Sequence, residues 1–342
     1  MRVTRESLIR LAKESSQERC FNDRSIIAAY LTGSLVLDAD PLLGGTTDID
    51  LVFVHGTPPA ISREIVKLSP DFHLDIRHRT RSEFKSPREL RADPILGYEM
   101  YDPMLLSERE KFFEFIQAGL RAGFEFHAPS VVLARCRKLL AEARRGWLDL
   151  SDISAGNAGA LQVKQFLRAV NHVANAVAEL NGAPLAERRF LLEFPARAVA
   201  AESPDFMGSL YNLLGAGQVD APTISGWLPA WGTDFMAAAQ DSRVDLSVNA
   251  ARLNYYDKAI RALLATESPL TALWPLIRTW TLASQALDAR QGTPWYSACE
   301  HLGLLGAAFE ARISELDGYL DQVDVRLDEI AIASGAETSA NR

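Results

Sequence analysis

Cysteine is scarce in this chain of 342 residues: Cys20, Cys136 and Cys299 stand more than 100 residues apart. That spacing makes no CxxC pair, no zinc-ligand set and no disulfide framework, so buried thiols in a reducing compartment are expected. A surplus of positive charge is also missing. Thirty-six Lys and Arg face 44 Asp and Glu, a formal net charge of −8, and the deficit holds along the chain, at 17 against 20 over residues 1–130 and 19 against 24 beyond. Proteins that track a nucleic-acid backbone draw much of their affinity from neutralising phosphates, so extended DNA or RNA binding is disfavoured. No uncharged apolar run approaches the roughly 18 residues of a membrane span, and residues 1–20 lack the apolar stretch of a signal peptide. A cytoplasmic protein without membrane contact is the expectation.

What is present is ordinary globular composition, 48% hydrophobic and 23% charged, over a length that exceeds one comfortable core. Two domains follow as the prior. Leu8, Ile9, Leu11 and Ala12 fall at helical spacing within residues 4–19. Residues 25–34, 49–55 and 72–78 read as strands from their β-branched content, their alternation and their Gly and Pro boundaries. Between the last two, residues 61–68 carry helical periodicity, which predicts a strand, helix, strand unit. Residues 98–106 hold a further strand or short helix. From about residue 107 strand signals vanish, and residues 130–147, 159–181, 206–215, 234–241, 249–265, 274–287 and 297–331 read as helices, with Pro275 in a first turn. Asn181-Gly182, Ser203-Pro204 and Gly292-Thr293-Pro294 separate them. The expected architecture is an α/β domain with a short mixed sheet over residues 1–125, a larger all-helical bundle over 126–335, and a frayed tail over 336–342.

The chemistry is concentrated in one stretch. Leu31-Thr32-Gly33-Ser34 is followed, after twelve residues, by Thr47-Asp48-Ile49-Asp50-Leu51-Val52-Phe53-Val54. Strand side chains alternate faces, so Asp48 and Asp50 share one face while Ile49, Leu51 and Phe53 take the other. Two such neighbouring carboxylates repel unless a cation lies between them, and a hard divalent ion such as Mg²⁺ suits the oxygen pair. Gly33 and Ser34 stand where a strand turns, a place where backbone N–H groups and a hydroxyl can meet phosphate oxygens. Asp75, central in the next strand, can add a third carboxylate from about 5 Å away.

Gly33, Ser34, Asp48, Asp50 and Asp75 together resemble the signature of the nucleotidyltransferase superfamily that includes DNA polymerase beta, the kanamycin and streptomycin nucleotidyltransferases, and the small antitoxin nucleotidyltransferases. The resemblance covers about residues 20–106, with a spacer at the long end that Leu42-Leu43-Gly44-Gly45 enlarges into a loop. It implies an enzyme that transfers a nucleoside monophosphate, AMP from ATP, to an acceptor hydroxyl with release of pyrophosphate. Asp48 and Asp50 would hold two Mg²⁺ ions. Ser34 and the Gly33 backbone would hold the terminal phosphates, and Asp75 would be a metal ligand or the general base.

In layout the chain is similar to the aminoglycoside nucleotidyltransferases, in which a helical domain closes over the acceptor. The resemblance extends to Lys164 and Arg168, on adjacent turns of one predicted helix, as a cationic face for the triphosphate; a solvated helix surface is the plainer alternative. Trp227, Trp231, Trp274, Trp280 and Trp295 are expected to pack helices, with an acceptor pocket as the alternative. Glu187, Arg188 and Arg189 read as a charge cluster at a helix start. No motif identifies the acceptor. A small hydroxylated molecule such as an aminoglycoside leads. A protein side chain modified by the chain, an antitoxin role with a protein partner or a homodimer, and a silent nucleotide-binding module stand behind it.

Overall fold

The computed structural model describes residues 4–37, 40–151 and 158–336, and the chain divides into two compact units, Met1–Phe126 and His127–Arg342. The expected frayed tail lies outside the described residues past Ala336. No helix among the described residues is long and apolar enough to cross a membrane.

The first unit contains α1 (Arg5–Asn22), β1 (Ile26–Thr32), α2 (Ser34–Leu37), β2 (Thr47–His55), β3 (Arg63–Lys67), β4 (Phe72–Thr80), α3 (Pro87–Arg91), α4 (Leu96–Tyr101), β5 (Met104–Glu108) and α5 (Phe112–Arg121). Thr4 and Ser7 exchange side chain to backbone hydrogen bonds that close the first turn of α1, supplying donors and acceptors that a helix start otherwise leaves unmatched. Leu8, Ala12, Ser16 and Cys20 then form its buried stripe at intervals of four. The five strands make one mixed sheet in the order β3-β4-β2-β1-β5. The β2 and β4 strands are parallel, and the other neighbours are antiparallel.

The alternation of strand side chains splits the core in two. On one face Ala29, Leu31, Ile49, Leu51, Phe53, Leu74 and Ile76 pack with Leu8 and Ala12 of α1 and Leu35 of α2. On the other Ala28, Tyr30, Val52 and Val54 pack with Leu90, Met100, Phe113, Ile116 and Leu120 from α3, α4 and α5. This second face is apolar toward one end and carboxylate-bearing toward the other.

One local expectation fails. Residues 61–68 form no helix; Arg63–Lys67 is the edge strand β3, antiparallel to β4. Five residues cannot make an independently stable helix, whereas as a strand they gain a ladder to β4, place Val66 against the α1-side core and put Glu64 where Arg19 donates to it at 2.6 Å. Both alternatives for residues 98–106 occur, α4 first and then β5. The amphipathic α5, which buries Phe112, Phe113, Ile116 and Leu120, lies where no element was expected.

The second unit is helical: α6 (Pro129–Ser151), α7 (Ala160–Ala178), α8 (Phe190–Ala200), α9 (Phe206–Leu213), α10 (Ala221–Ala238), α11 (Leu253–Leu264), α12 (Leu273–Ala286), α13 (Pro294–His301) and α14 (Ala308–Ala333). The expected helix at 234–241 is the end of the longer α10, and that at 297–331 is two helices, α13 and α14. The unforeseen α8 carries Pro195 in its interior. Trp231, Trp274, Trp280 and Trp295 are fully buried core. Trp231 Nε1 donates to Thr279, Trp295 Nε1 to Thr281 and Trp280 Nε1 to Asp234, while Trp274 stacks on Phe190 with ring centroids 4.1 Å apart. Trp231, Trp280 and Trp295 are anchored by packing and by indole hydrogen bonds, as large buried aromatics require, whereas Trp274 is held by packing alone, its Nε1 having no hydrogen-bond partner among the described residues. Glu187 is an inter-helix tie, accepting from Tyr256 and Arg278, and the buried Arg188 lies over the Tyr255 ring.

Candidate functional site

The site grows from the end of β1. Gly33 takes φ +74°, and a Cβ there would stand 2.0 Å from Asp50 Oδ2. Both the left-handed backbone and the lack of a side chain are therefore required: the space beside this glycine belongs to the Asp50 carboxylate. The chain then turns into α2, and Ser34 Oγ lies 3.0 Å from Thr47 Oγ1 at the start of β2, tying the Gly-Ser turn to the strand that carries both aspartates.

In the parallel pairing of β2 with β4, Asp50 stands opposite Asp75 and Asp48 opposite His73. Asp48, Asp50 and Asp75 each offer one oxygen, and the three oxygens lie within 4.8 Å of one another. Asp75 is 2% exposed and Asp48 7%. An octahedral Mg²⁺ with oxygens at about 2.1 Å spans about 4.2 Å between opposite ligands, and Mg²⁺ favours carboxylate oxygen. Oxygens 4.8 Å apart would close by about 0.6 Å to reach that span, and the donor set suits a divalent cation, so the cluster could hold a metal ion.

Arginines surround the carboxylates. From the edge strand β3, Arg63 grips Asp75 with both arms, Nε to Oδ1 at 2.8 Å and Nη2 to Oδ2 at 2.5 Å. Arg77, two residues beyond Asp75 and so on its face, approaches Asp50 at 3.5 Å and donates to Glu99 at 2.8 Å. Glu99 also accepts two bonds from Arg79, at 2.9 and 3.0 Å, and one from the Tyr30 hydroxyl at 2.6 Å. Burial works to raise the Glu99 pKa, but the Arg79 and Arg77 guanidiniums outweigh it and hold the carboxyl below its usual range. Burial and the Glu99 charge push the Tyr30 hydroxyl well up, so it stays a donor. The cluster is a charge network in which most carboxylate oxygens meet a guanidinium.

The structure therefore brings Gly33, Ser34, Asp48, Asp50 and Asp75 together in the first unit. Lys164 and Arg168 belong to α7 in the second, where Lys164 Nζ donates to Gln285 at 2.9 Å and Arg168 Nε to His172 at 3.3 Å. Sequence reasoning missed Arg63, Arg77, Arg79, Glu99 and Tyr30. The period of two along β4 placed Arg77 on the face of Asp75 and was a readable signal. Arg63 was hidden by the helical reading of its segment, and nothing local points to Glu99.

Fold and site together define a mixed-sheet α/β unit that bears a metal-capable aspartate triad, followed by a helical region. No protein-family model matches the chain, and no curated protein does. Among solved structures it is matched to a nucleotidyltransferase-like protein from Exiguobacterium sibiricum 255-15, at 12% identity and a TM-score of 0.32, over 98% of this chain and 96% of that one.

Proposed function

We propose that this chain is a Mg²⁺-dependent nucleotidyltransferase that moves AMP from ATP to a hydroxyl of a small acceptor. The observation that carries the reading is the convergence of Asp48, Asp50 and Asp75 within 4.8 Å, beside a Gly-Ser turn whose glycine is shaped around Asp50. Bound Mg²⁺ supplies neutralisation of the phosphate oxygens and a more acidic acceptor hydroxyl. Asp48 and Asp50 hold the metal, and Asp75 completes the set. Ser34 donates its hydroxyl to the terminal phosphates. In the transfer the acceptor oxygen bonds to the α-phosphorus, the bond from that phosphorus to the β-bridging oxygen breaks, pyrophosphate departs, and the hydroxyl proton passes to Asp75 or to solvent. The same reading makes the chain cytoplasmic, where its three buried thiols stay reduced, and leaves extended nucleic acid out as a partner.

The test is incubation with α-labelled ATP, Mg²⁺ and a panel of hydroxylated acceptors that includes aminoglycosides. Label on an acceptor with matching pyrophosphate release is expected, with Asp48→Asn lowering the rate by about 10³-fold, or about 4 kcal/mol of barrier. Label on a co-purified protein band would replace the small acceptor with a protein one. ATP binding without turnover on any acceptor would make the chain a binding module and defeat the proposal.

A further inference from the structure

The third carboxylate of the triad already has a cation. Asp75 lies between Asp50, its register partner on β2, and Arg63 on β3, which donates one hydrogen bond to each Asp75 oxygen. A two-armed guanidinium to carboxylate contact is the strongest and most directional of side-chain ion pairs. Here one partner is almost fully buried, while Arg63 keeps 30% of its side chain exposed. A carboxylate has about four lone-pair sites, so Asp75 retains capacity toward Asp48 and Asp50, but any ion seated there meets the Arg63 charge across the same carboxylate.

The surrounding charges point the same way. Asp48, Asp50, Asp75, Glu99 and Glu83 set five negative charges against three positive ones on Arg63, Arg77 and Arg79. One divalent ion offsets the two negative charges that these eight groups leave, and a second would add two positive charges to a group already neutral.

We propose that Arg63 is a positioning residue that acts as the resident cation of Asp75, so that the triad of the free chain takes one divalent ion, through Asp48 and Asp50, and not two. This rests on the reading of the triad as a metal site. Removing the guanidinium charge opens Asp75 to a second ion, while lysine, which keeps the charge without the two-armed grip, returns the site toward one.

The test is Mn²⁺ binding to the full chain without nucleotide, read as stoichiometry by calorimetry and by the loss of free-Mn²⁺ resonance signal, with folding checked by circular dichroism. Wild type is expected to bind one ion. Arg63→Gln should bind two, or bind its ion about tenfold or more tightly, because a full charge is withdrawn from the site; Arg63→Lys should resemble wild type. A purely structural role for Arg63 would lower the melting temperature of Arg63→Gln and leave both the stoichiometry and the affinity unchanged, which overturns the proposal. Two ions on the wild-type chain overturn it as well while leaving the metal site standing. No binding by wild type, with Asp48→Asn indistinguishable from it, sinks the metal site itself. If Arg63→Gln does not fold, the same contrast is read between wild type and Arg63→Met.

Discussion

Replacing Gly33 by alanine separates the two demands on this position. The first is backbone: at φ +74° an alanine costs about 1–2 kcal/mol relative to glycine. The second is space. The new Cβ would meet Asp50 Oδ2 at 2.0 Å and Cγ at 2.8 Å, about 1.4 Å short of ordinary contact. The atom in the way is the tip of a side chain, so Asp50 swings aside and the fold survives, but the carboxylate leaves the triad. Gly45 supplies the control, with φ +75° and nothing within 4 Å of an added Cβ. Both Gly33→Ala and Gly45→Ala should therefore lose about 1–2 kcal/mol in urea unfolding. Only Gly33→Ala should weaken Mn²⁺ binding, and its transfer rate should fall on the order of 10²-fold, the usual consequence of an ångström's misplacement at a reacting centre. Wild-type Mn²⁺ affinity in Gly33→Ala, or an equal loss in Gly45→Ala, would refute the reasoning, since the glycine would then serve the backbone alone.

Two further outcomes follow from buried ionisable groups. Glu99→Gln leaves Arg77 and Arg79 facing a neutral amide in place of a carboxylate, and a loss of about 3–5 kcal/mol is expected in urea unfolding; a loss under about 1 kcal/mol would mean that the guanidiniums find other partners. The second concerns pH. Ser25 Oγ, His55 and His78 form a chain of 2.9 Å contacts that continues to Glu64 at 3.0 Å. Burial lowers the His55 pKa, the neighbouring His78 lowers it further, and Asp23 opposes them. A histidine whose folded pKa lies below its unfolded value of about 6.5 leaves the folded state with fewer protons, so stability is full above that pH and falls as the pH drops below it toward the folded value. His172 in α7, also lowered by burial and then by Arg168, acts in the same direction. Urea midpoints should be level from about pH 7 to 8 and decline below about pH 6.5, with a shallower decline in His55→Gln; an unchanged slope in that variant would assign the effect elsewhere.

How far the site could be read from the sequence depends on the range of the interaction involved. Asp48 and Asp50 share a face because a strand alternates, whatever lies beside it. The buried run at 49–55 marks a central strand for the same local reason. The short segment at 61–68 misleads because eight residues sample too few turns to distinguish the two periods, and its conformation is decided by a free edge of β4. The α8 helix was obscured by Pro195, whose local cost is offset by the buried Phe190, Leu191, Phe194 and Ala198. The network around Glu99 draws partners from β1, β4 and α4, and a single chain of letters carries no mark of such convergence.

The sequence by itself determined an α/β region followed by a helical one, a turn at Gly33-Ser34, and a pair of carboxylates on one strand face. Periodicity and backbone conformation are local properties, which is why they were readable. Only the tertiary structure decided that β4 lies parallel to β2 with Asp75 level with Asp50, and that β3 folds back to set Arg63 on Asp75. Backbone ladders are blind to side-chain identity, so register is settled by which faces can be buried across the whole sheet. That burial, with α1 on one side and α3 to α5 on the other, turns three separated aspartates into one cluster and supplies the arginines that balance it.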